Sequence, residues 1–79
     1  MNPGIYRHYK GNLYHVLGVA IHSETEEQLV VYRDLYGSGN LWIRPLDMFK
    51  EKVQTGKKFV PRFTPINLDH LPPMNSQFR

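Results

Sequence analysis

Three adjacent residues, His22-Ser23-Glu24, carry the side-chain types of a hydrolase triad. Known triads, however, bring together residues that are distant along the chain. On an extended strand Ser23 also points away from the side that His22 and Glu24 share. A His22–Glu24 pair remains, which would either hold one imidazole tautomer for acid–base work or simply order a loop. We favour the second interpretation and predict no catalytic residues.

The histidines at positions 8, 15, 22 and 70 are the natural candidates for a metal site, because the chain has no cysteine. Their recurring spacing of seven is unlike the i, i+2 strand pairs or i, i+4 helix pairs that are common at zinc sites. The glycines of Tyr36-Gly-Ser-Gly-Asn40 lack the Lys-Ser/Thr of a phosphate-binding loop and are typical of a turn. We therefore expect neither a bound metal nor a cofactor.

Arginine stands beside an aromatic residue in three segments, Arg7-His-Tyr9, Tyr32-Arg33 and Trp42-Ile-Arg44. Alternation on a strand sends directly adjacent side chains, such as Tyr32 and Arg33, to opposite faces. Arg7 and Tyr9 share one face, and His8 takes the other. We expect the rings to fill the core, with Trp42 as the best core candidate. The expected companions of Trp42 in the core are Phe49, Val31 and Leu29.

The three arginines would then face outward and form a patch for phosphate or carboxylate groups, since guanidinium suits bidentate anion contacts. The alternative is that each arginine stem covers apolar surface while its charged head meets water. The ligand-binding residues of this hypothesis are Arg7, Tyr9, His22, Glu24, Arg33 and Arg44.

Short strand and turn signals alternate along the chain and position these residues. Strand-forming residues occupy 4–9, 13–22, 28–33, 41–44 and 59–63. Gly18 in the middle of the longest apolar run predicts a β-bulge that shifts the inward–outward phase. Pro45 should end the fourth strand and open a helical turn, in which Leu46, Phe49 and Val53 would share one face.

This pattern predicts an all-β fold, a small open barrel of four to five strands with one short helical turn. An SH3-like barrel is our first choice, with an OB-like barrel or a simple curled sheet behind it. With 79 residues the chain has room for one domain. We place it at residues 1–63 and expect 64–79, which are rich in proline, to form a flexible or draped C-terminal tail.

Ten Lys and Arg against seven Asp and Glu give a net charge of +3, which permits nucleic acid as a partner without demanding it. No apolar stretch approaches the ~20 residues that span a bilayer. The N-terminal stretch MNPGIYRHYKG has no apolar signal-peptide core. We expect a cytoplasmic protein that makes no membrane contact.

Several stretches resemble, in order, the pattern of the bacterial domain-of-unknown-function family numbered 1653. They are GIYRHYKGNLY, VLGVAIHSETEEQLVVYR, LYG and LWIRPLDMF, and the resemblance covers residues 4 to about 63. That family has no established activity to carry over. The resemblance implies signature positions at Arg7, His8, Tyr9, His22, Ser23, Glu24, Thr25, Tyr32, Arg33, Tyr36, Trp42, Arg44 and Pro45.

Three functions from different classes are compatible with these residues. The favoured one is a binding module whose Arg/Tyr face contacts RNA, a nucleotide-like molecule or a protein segment. The alternative is a self-associating adaptor protein, so a homo-oligomer stays open. The least favoured is a small enzyme that uses His22 and Glu24.

Overall fold

The computed structural model describes residues 1–66, which form seven strands and one helical turn. The strands are β1 (Gly4–His8), β2 (Leu13–Ile21), β3 (Gln28–Asp34), β4 (Leu41–Pro45), β5 (Lys52–Thr55), β6 (Lys58–Pro61) and β7 (Phe63–Pro65), and α1 (Leu46–Phe49) follows β4. Five strands make one antiparallel sheet in the order β4-β3-β2-β1-β7. Strands β5 and β6 pair separately as a hairpin.

A β-bulge interrupts β2 where the sequence predicts it. Val16 pairs with Tyr32, but Gly18 pairs with Val31, so Leu17 is the extra residue. Gly18 has a φ of 154°, a backbone conformation that other residues rarely adopt. Because of the extra residue, Val16 and Val19 face the same side of the sheet although they lie three positions apart.

The pairing register divides the sheet into two faces. Strand β3 shows this most simply, since Val30, Tyr32 and Asp34 are buried while the residues between them are more open. We call the face that carries Val30 and Tyr32 the inner face and the opposite one the outer face.

The inner face carries the hydrophobic core. Its buried residues are Tyr6, Val16, Val30, Tyr32, Phe49 and Phe63. The helical turn α1 supplies Phe49, which is 1% exposed and stacks on Phe63 with ring centroids 4.0 Å apart. Pro45 precedes the turn with a φ of −52°, already close to the helical value.

The all-β class with one short helical turn is confirmed, and the described strands form no closed barrel. The SH3-like topology stays a prediction. Two details of the sequence interpretation were wrong. Val53 lies in β5 and does not extend the helical turn, and the single strand expected over 59–63 is divided between β6 and β7. Pairing also continues to the end of β7, where Ile66 N donates to Ile5 O at 2.8 Å.

The predicted core was wrong at Trp42, which is exposed, and it placed Leu29 and Val31 on the wrong face of β3. Trp42 is 47% exposed, whereas Phe49 is buried as predicted. Leu29 and Val31 lie on the outer face and are half-buried, because the pairing of β3 turns Val30 and Tyr32 inward. The tail expected from residue 64 lies, from 67 onward, outside the described residues. None of the described helices is long and apolar enough to cross a membrane.

Candidate functional site

A shallow pocket of about 210 Å³ opens on the inner face, beside the core. We call it the aromatic groove, and its lining residues are Tyr14, Tyr32, Asp34, Tyr36, Trp42 and Arg44. Strands β2, β3 and β4 supply all of them except Tyr36, which lies in the turn after β3. The register explains the assembly, because Tyr14 pairs with Asp34 and Tyr32 pairs with Trp42, and paired residues share a face.

Trp42 is held in place by a buried carboxylate. Its indole Nε1–H donates to Asp34 Oδ1 at 2.7 Å, while Asp34 is only 8% exposed. A buried carboxylate needs hydrogen-bond partners, and an indole N–H is a donor that fixes the ring plane. The indole face is therefore presented to the groove in one orientation.

The turn after β3 closes one side of the groove. Tyr36 and Tyr14 share a hydrogen bond between their hydroxyls at 2.7 Å. Arg33 Nη1 donates to the carbonyl of Gly39 at 2.7 Å, which ties the same turn to β3. Burial, and then the hydrogen bond with Tyr36, raise the pKa of the Tyr14 hydroxyl well above its usual value. Tyr14 is therefore neutral at physiological pH and lines the groove with a hydroxyl that can form hydrogen bonds.

Arg44 brings a positive charge into the groove and makes no ion pair there, although the Asp34 carboxylate lines the same groove. It is half-buried, and its Nε donates to the Tyr32 hydroxyl at a long 3.5 Å. Within residues 1–66 the one ion pair closer than 4.0 Å joins Arg62 to Glu51, so Arg44 has no acidic partner there. A half-buried guanidinium that is compensated only by a neutral hydroxyl is a favourable place for an incoming anion.

Positively charged side chains adjoin the groove around His8, whose ring lies 6.3 Å from that of Tyr14. Burial lowers the pKa of His8, and the neighbouring positive charges of Arg62, Lys10 and Arg44 lower it further. His8 Nδ1 accepts the Lys10 N–H at 3.2 Å. This end of the inner face therefore has an electropositive field although Arg62 is paired.

The three arginines predicted to form one patch do not share a face. Arg7 pairs with Leu13, and Arg33 pairs with His15 and Leu41, which places Arg7 and Arg33 on the outer face. Arg44 pairs with Val30 and lies on the inner face. Of the six residues predicted to bind a ligand, only Arg44 lines the aromatic groove.

The other predicted site residues have local roles in the structure. The centroids of the Tyr9 and His8 rings lie 4.6 Å apart, and Lys10 Nζ lies 5.9 Å from the centroid of the Tyr9 ring. His22 Nδ1 accepts the backbone N–H groups of Glu24 and Thr25 at 3.1 and 3.3 Å. The imidazole therefore orders the β2–β3 turn, and the exposed Glu24 carboxylate makes no hydrogen bond to it.

Metal binding has no support in the part of the chain that the structure describes. Over residues 1–66 no three His, Asp or Glu side chains are grouped closely enough to hold an ion. The aromatic groove itself contains a single carboxylate, Asp34, which already accepts the Trp42 indole.

Sequence reasoning missed Tyr14, Tyr32, Asp34 and Tyr36 as site residues, and it assigned Trp42 to the core. A usable signal was present in β3 and β4, where Tyr32 and Asp34 share one face of their strand and Trp42 and Arg44 share one face of theirs. Only the register tells which of those faces lie on the same side of the sheet.

The comparisons with known proteins agree on one group of relatives. A family model described as "Protein of unknown function (DUF1653)" matches residues 4–65. The crystal structure of a DUF1653 protein from Bordetella bronchiseptica is 41% identical in sequence, with a TM-score of 0.78. The match covers 92% of this chain and 94% of that one. No curated protein matches the chain.

Proposed function

The chain belongs to the DUF1653 family of proteins of unknown function, and within it we propose that this protein is a binding module for an anionic, nucleotide-like ligand. The ligand is a free nucleotide or a nucleotide of an RNA strand, and it occupies the aromatic groove. The observation that carries the proposal is Arg44, a half-buried guanidinium with no acidic partner among residues 1–66, set among four aromatic rings.

Arg44 supplies the contact for a phosphate group. Its Nη atoms make no hydrogen bond with a described residue, and Nε makes only the long contact with Tyr32. A guanidinium in such a setting offers two parallel N–H donors to a phosphate. The positive charges of Lys10 and Arg62, which lie near His8, extend this preference for anions beyond the groove.

Trp42 and the tyrosines supply the contact for a flat ring. The exposed half of the Trp42 indole is fixed by Asp34, so stacking on it costs little side-chain entropy. Stacking of a base on an aromatic side chain is worth about 1–3 kcal/mol and tolerates every base. Ring stacking therefore adds affinity, and Arg44 adds charge.

Asp34 gives the site a preference among bases. Its Oδ1 accepts from Trp42, and Oδ2 makes no hydrogen bond within residues 1–66. A carboxylate accepts hydrogen bonds and donates none, so it favours a base edge that carries amino or imino hydrogens. Guanine, with its N1–H and 2-amino group, meets this requirement better than uracil.

The size of the groove limits what it holds. Its volume of about 210 Å³ is below the ~300–1,000 Å³ of pockets that enclose whole drug-sized ligands. The groove therefore accommodates one ring system, and the sugar and phosphates extend along the surface. An acidic protein segment with an aromatic residue also satisfies Arg44 and Trp42, but its backbone N–H groups do not offer Asp34 the two adjacent, coplanar donors of guanine, so we favour the nucleotide.

The test uses the intrinsic fluorescence of Trp42, the single tryptophan of the chain. We expect GMP and a short guanine-containing RNA to quench this fluorescence in a saturable way. Binding should weaken with salt, more steeply for the RNA because it contacts more phosphates. If GMP and the RNA bind with equal affinity per nucleotide, a free nucleotide is sufficient for binding. If only the RNA binds, the ligand is an RNA strand.

The matched variants are Arg44→Ala on the inner face and Arg7→Ala on the outer face. Arg44→Ala should weaken binding by about tenfold or more, the value of a lost charge-assisted contact, while Arg7→Ala should leave it unchanged. If neither GMP nor RNA binds at low salt, the nucleotide proposal is wrong. If Arg7→Ala is the variant that loses binding, the ligand occupies the outer face instead.

The proposed ligands are also available where we place the protein. The similar chain comes from the bacterium Bordetella bronchiseptica, and the bacterial cytoplasm contains both free nucleotides and RNA.

A further inference from the structure

The outer face of the sheet exposes an apolar centre. Leu17 projects from the bulge beside Ala20 and Val31, where the surface forms a shallow apolar hollow. On the neighbouring edge strand β4, Leu41 and Ile43 are exposed, and Ile43 reaches 63%. The core and α1 lie on the opposite face of the sheet. No described residue among 1–66 therefore covers Leu17, Leu41 and Ile43, which remain exposed to solvent. Contiguous apolar surface of this kind marks an interaction site.

The two ends of the outer face carry opposite charges. Arg33 and His15 pair at the end of β3 that leads to the Tyr36 turn. The β2–β3 turn at the other end of the same two strands contains three exposed acids, Glu24, Glu26 and Glu27. Glu27, whose carbonyl accepts the His22 N–H, continues the outer face into this turn by alternation. The outer face along β2 and β3 thus has a basic end, an apolar centre and an end that adjoins the acidic turn.

We propose that the outer face binds a second copy of this chain, face to face and antiparallel, about a two-fold axis that crosses the strands near Val31. Such an axis keeps each strand over its counterpart and reverses its direction. The basic end of one copy then lies over the acidic end of the other. The apolar centres, with Leu17, Val31 and Ile43, lie opposite each other.

A second copy is the occupant that this surface specifies. An isologous interface requires a patch that is complementary to itself after a two-fold rotation. Opposite charges at the two ends of one apolar face meet that requirement, and the contact between Arg33 of one copy and the acidic turn of the other occurs twice in the dimer. Two sheets that pack face to face with nearly aligned strands are a common arrangement. The inference goes beyond the proposed ligand site and leaves the aromatic groove on the inner face accessible.

The first measurement is the mass of the full chain in solution against concentration, by sedimentation equilibrium. We expect the mass to rise from one chain toward two as concentration increases, with weaker association at high salt because the end contacts are charged. A mass that stays at one chain from micromolar to millimolar concentration overturns the proposal. A mass that exceeds two chains without a plateau also overturns it, since a two-fold contact closes.

The second measurement compares two exposed isoleucines. Ile43 lies on the outer face at 63% exposure, and Ile21, at 57%, pairs with Gln28 on the inner side at a strand end. Ile43→Ser should raise the dimer dissociation constant about tenfold or more, because each dimer loses two buried side chains. Ile21→Ser should leave it within about twofold. Equal effects of the two variants contradict this interface.

The third measurement tests the orientation of the copies by charge exchange. Arg33→Glu and Glu24→Arg should each weaken the dimer, and the double variant should restore much of the loss because the pairing is re-formed with signs exchanged. Arg7→Glu, one strand farther from the acidic turn of the partner, is the control and should weaken it less. A double variant as weak as the sum of the two singles contradicts the antiparallel arrangement. Circular dichroism of every variant confirms that the sheet has formed.

Discussion

Trp42 and Asp34 are joined by a 2.7 Å hydrogen bond between an indole half open to solvent and a carboxylate that is almost fully buried. The two residues lie on adjacent strands, eight positions apart in sequence. Asp34 compensates part of its own burial through this bond. At the same time it presents the aromatic surface of Trp42 at a defined angle beside Arg44, so the contact belongs to the site as well as to the fold.

The variant Asp34→Asn separates the contribution of Asp34 to the fold from its contribution to ligand binding. An amide oxygen can still accept the Trp42 N–H, so the fold should persist. The amide now also offers donors, which oppose the donor edge of guanine. We expect the preference for GMP over IMP, which lacks the 2-amino group, to fall from about tenfold toward unity in a fluorescence titration. If the wild type binds the two nucleotides equally, Asp34 does not select the base, whereas binding of neither would instead remove the nucleotide proposal.

Truncation of two aromatic residues should have very different effects on stability. Phe49→Ala removes a fully buried ring and should lower the free energy of unfolding by about 3–5 kcal/mol. Trp42→Ala removes a half-exposed ring and one hydrogen bond, and should cost about 1–2 kcal/mol. Urea unfolding followed by circular dichroism measures both values. A cost for Trp42→Ala as large as that for Phe49→Ala would show that the indole is a core residue after all.

Deletion of Leu17 tests the bulge in β2. Without the extra residue β2 and β3 form a regular ladder, in which Gly18 still pairs with Val31 and Val19 still faces the core. We expect the deletion to leave unfolding cooperative but to lower the thermal midpoint, because β2 loses the bend and twist that the bulge gives it. The substitution Leu17→Ala, which keeps the chain length, should cost less than about 1 kcal/mol because Leu17 is exposed. Thermal unfolding of the two variants side by side gives the comparison. Equal midpoints would show that the bulge is dispensable.

The lowered pKa of His8 predicts how stability depends on pH. Since the folded state holds its proton less tightly than the unfolded chain, His8 contributes stability that is fully present above its unfolded pKa. That contribution is lost as the pH falls through the lower, folded-state value. We expect the wild type to lose more stability than His8→Gln between about pH 7.5 and pH 5. Parallel pH profiles for the two proteins would contradict this assignment.

The strand pattern of the fold was open to prediction, whereas the faces of its strands were not. Turn residues and β-formers marked β1 to β4, and Gly18 marked the bulge. Alternation in β3 allowed two phases, with either Leu29 and Val31 or Val30 and Tyr32 in the core. The choice depends on the register with β2 and β4, which is set by contacts distant in sequence. Trp42 was misplaced for the same reason, because its size favours burial while its pairing with Tyr32 puts it at the rim.

The candidate site shows the same division. Arg44 was identified by its type and by its place beside an aromatic residue. Asp34 carried no signal of its own, because an acid at the end of a strand is usually solvated. Its burial follows from the pairing with Tyr14 and from the indole that reaches it. The expected patch of three arginines failed because Arg7 and Arg33 have the opposite orientation to Arg44, which no composition or spacing rule reveals.

The alternation of β3 has a consequence for valency. One strand of seven residues gives Tyr32 and Asp34 to the ligand groove and Val31 and Arg33 to the opposite surface. When two outer faces pair as proposed, the two grooves point away from each other on the outsides of the dimer. A short ligand then occupies one groove at a time and cannot bridge the two. A long ligand, or one with repeated binding units, gains avidity by occupying both grooves of one dimer or grooves of two dimers. The arrangement would make the dimer a cross-linker.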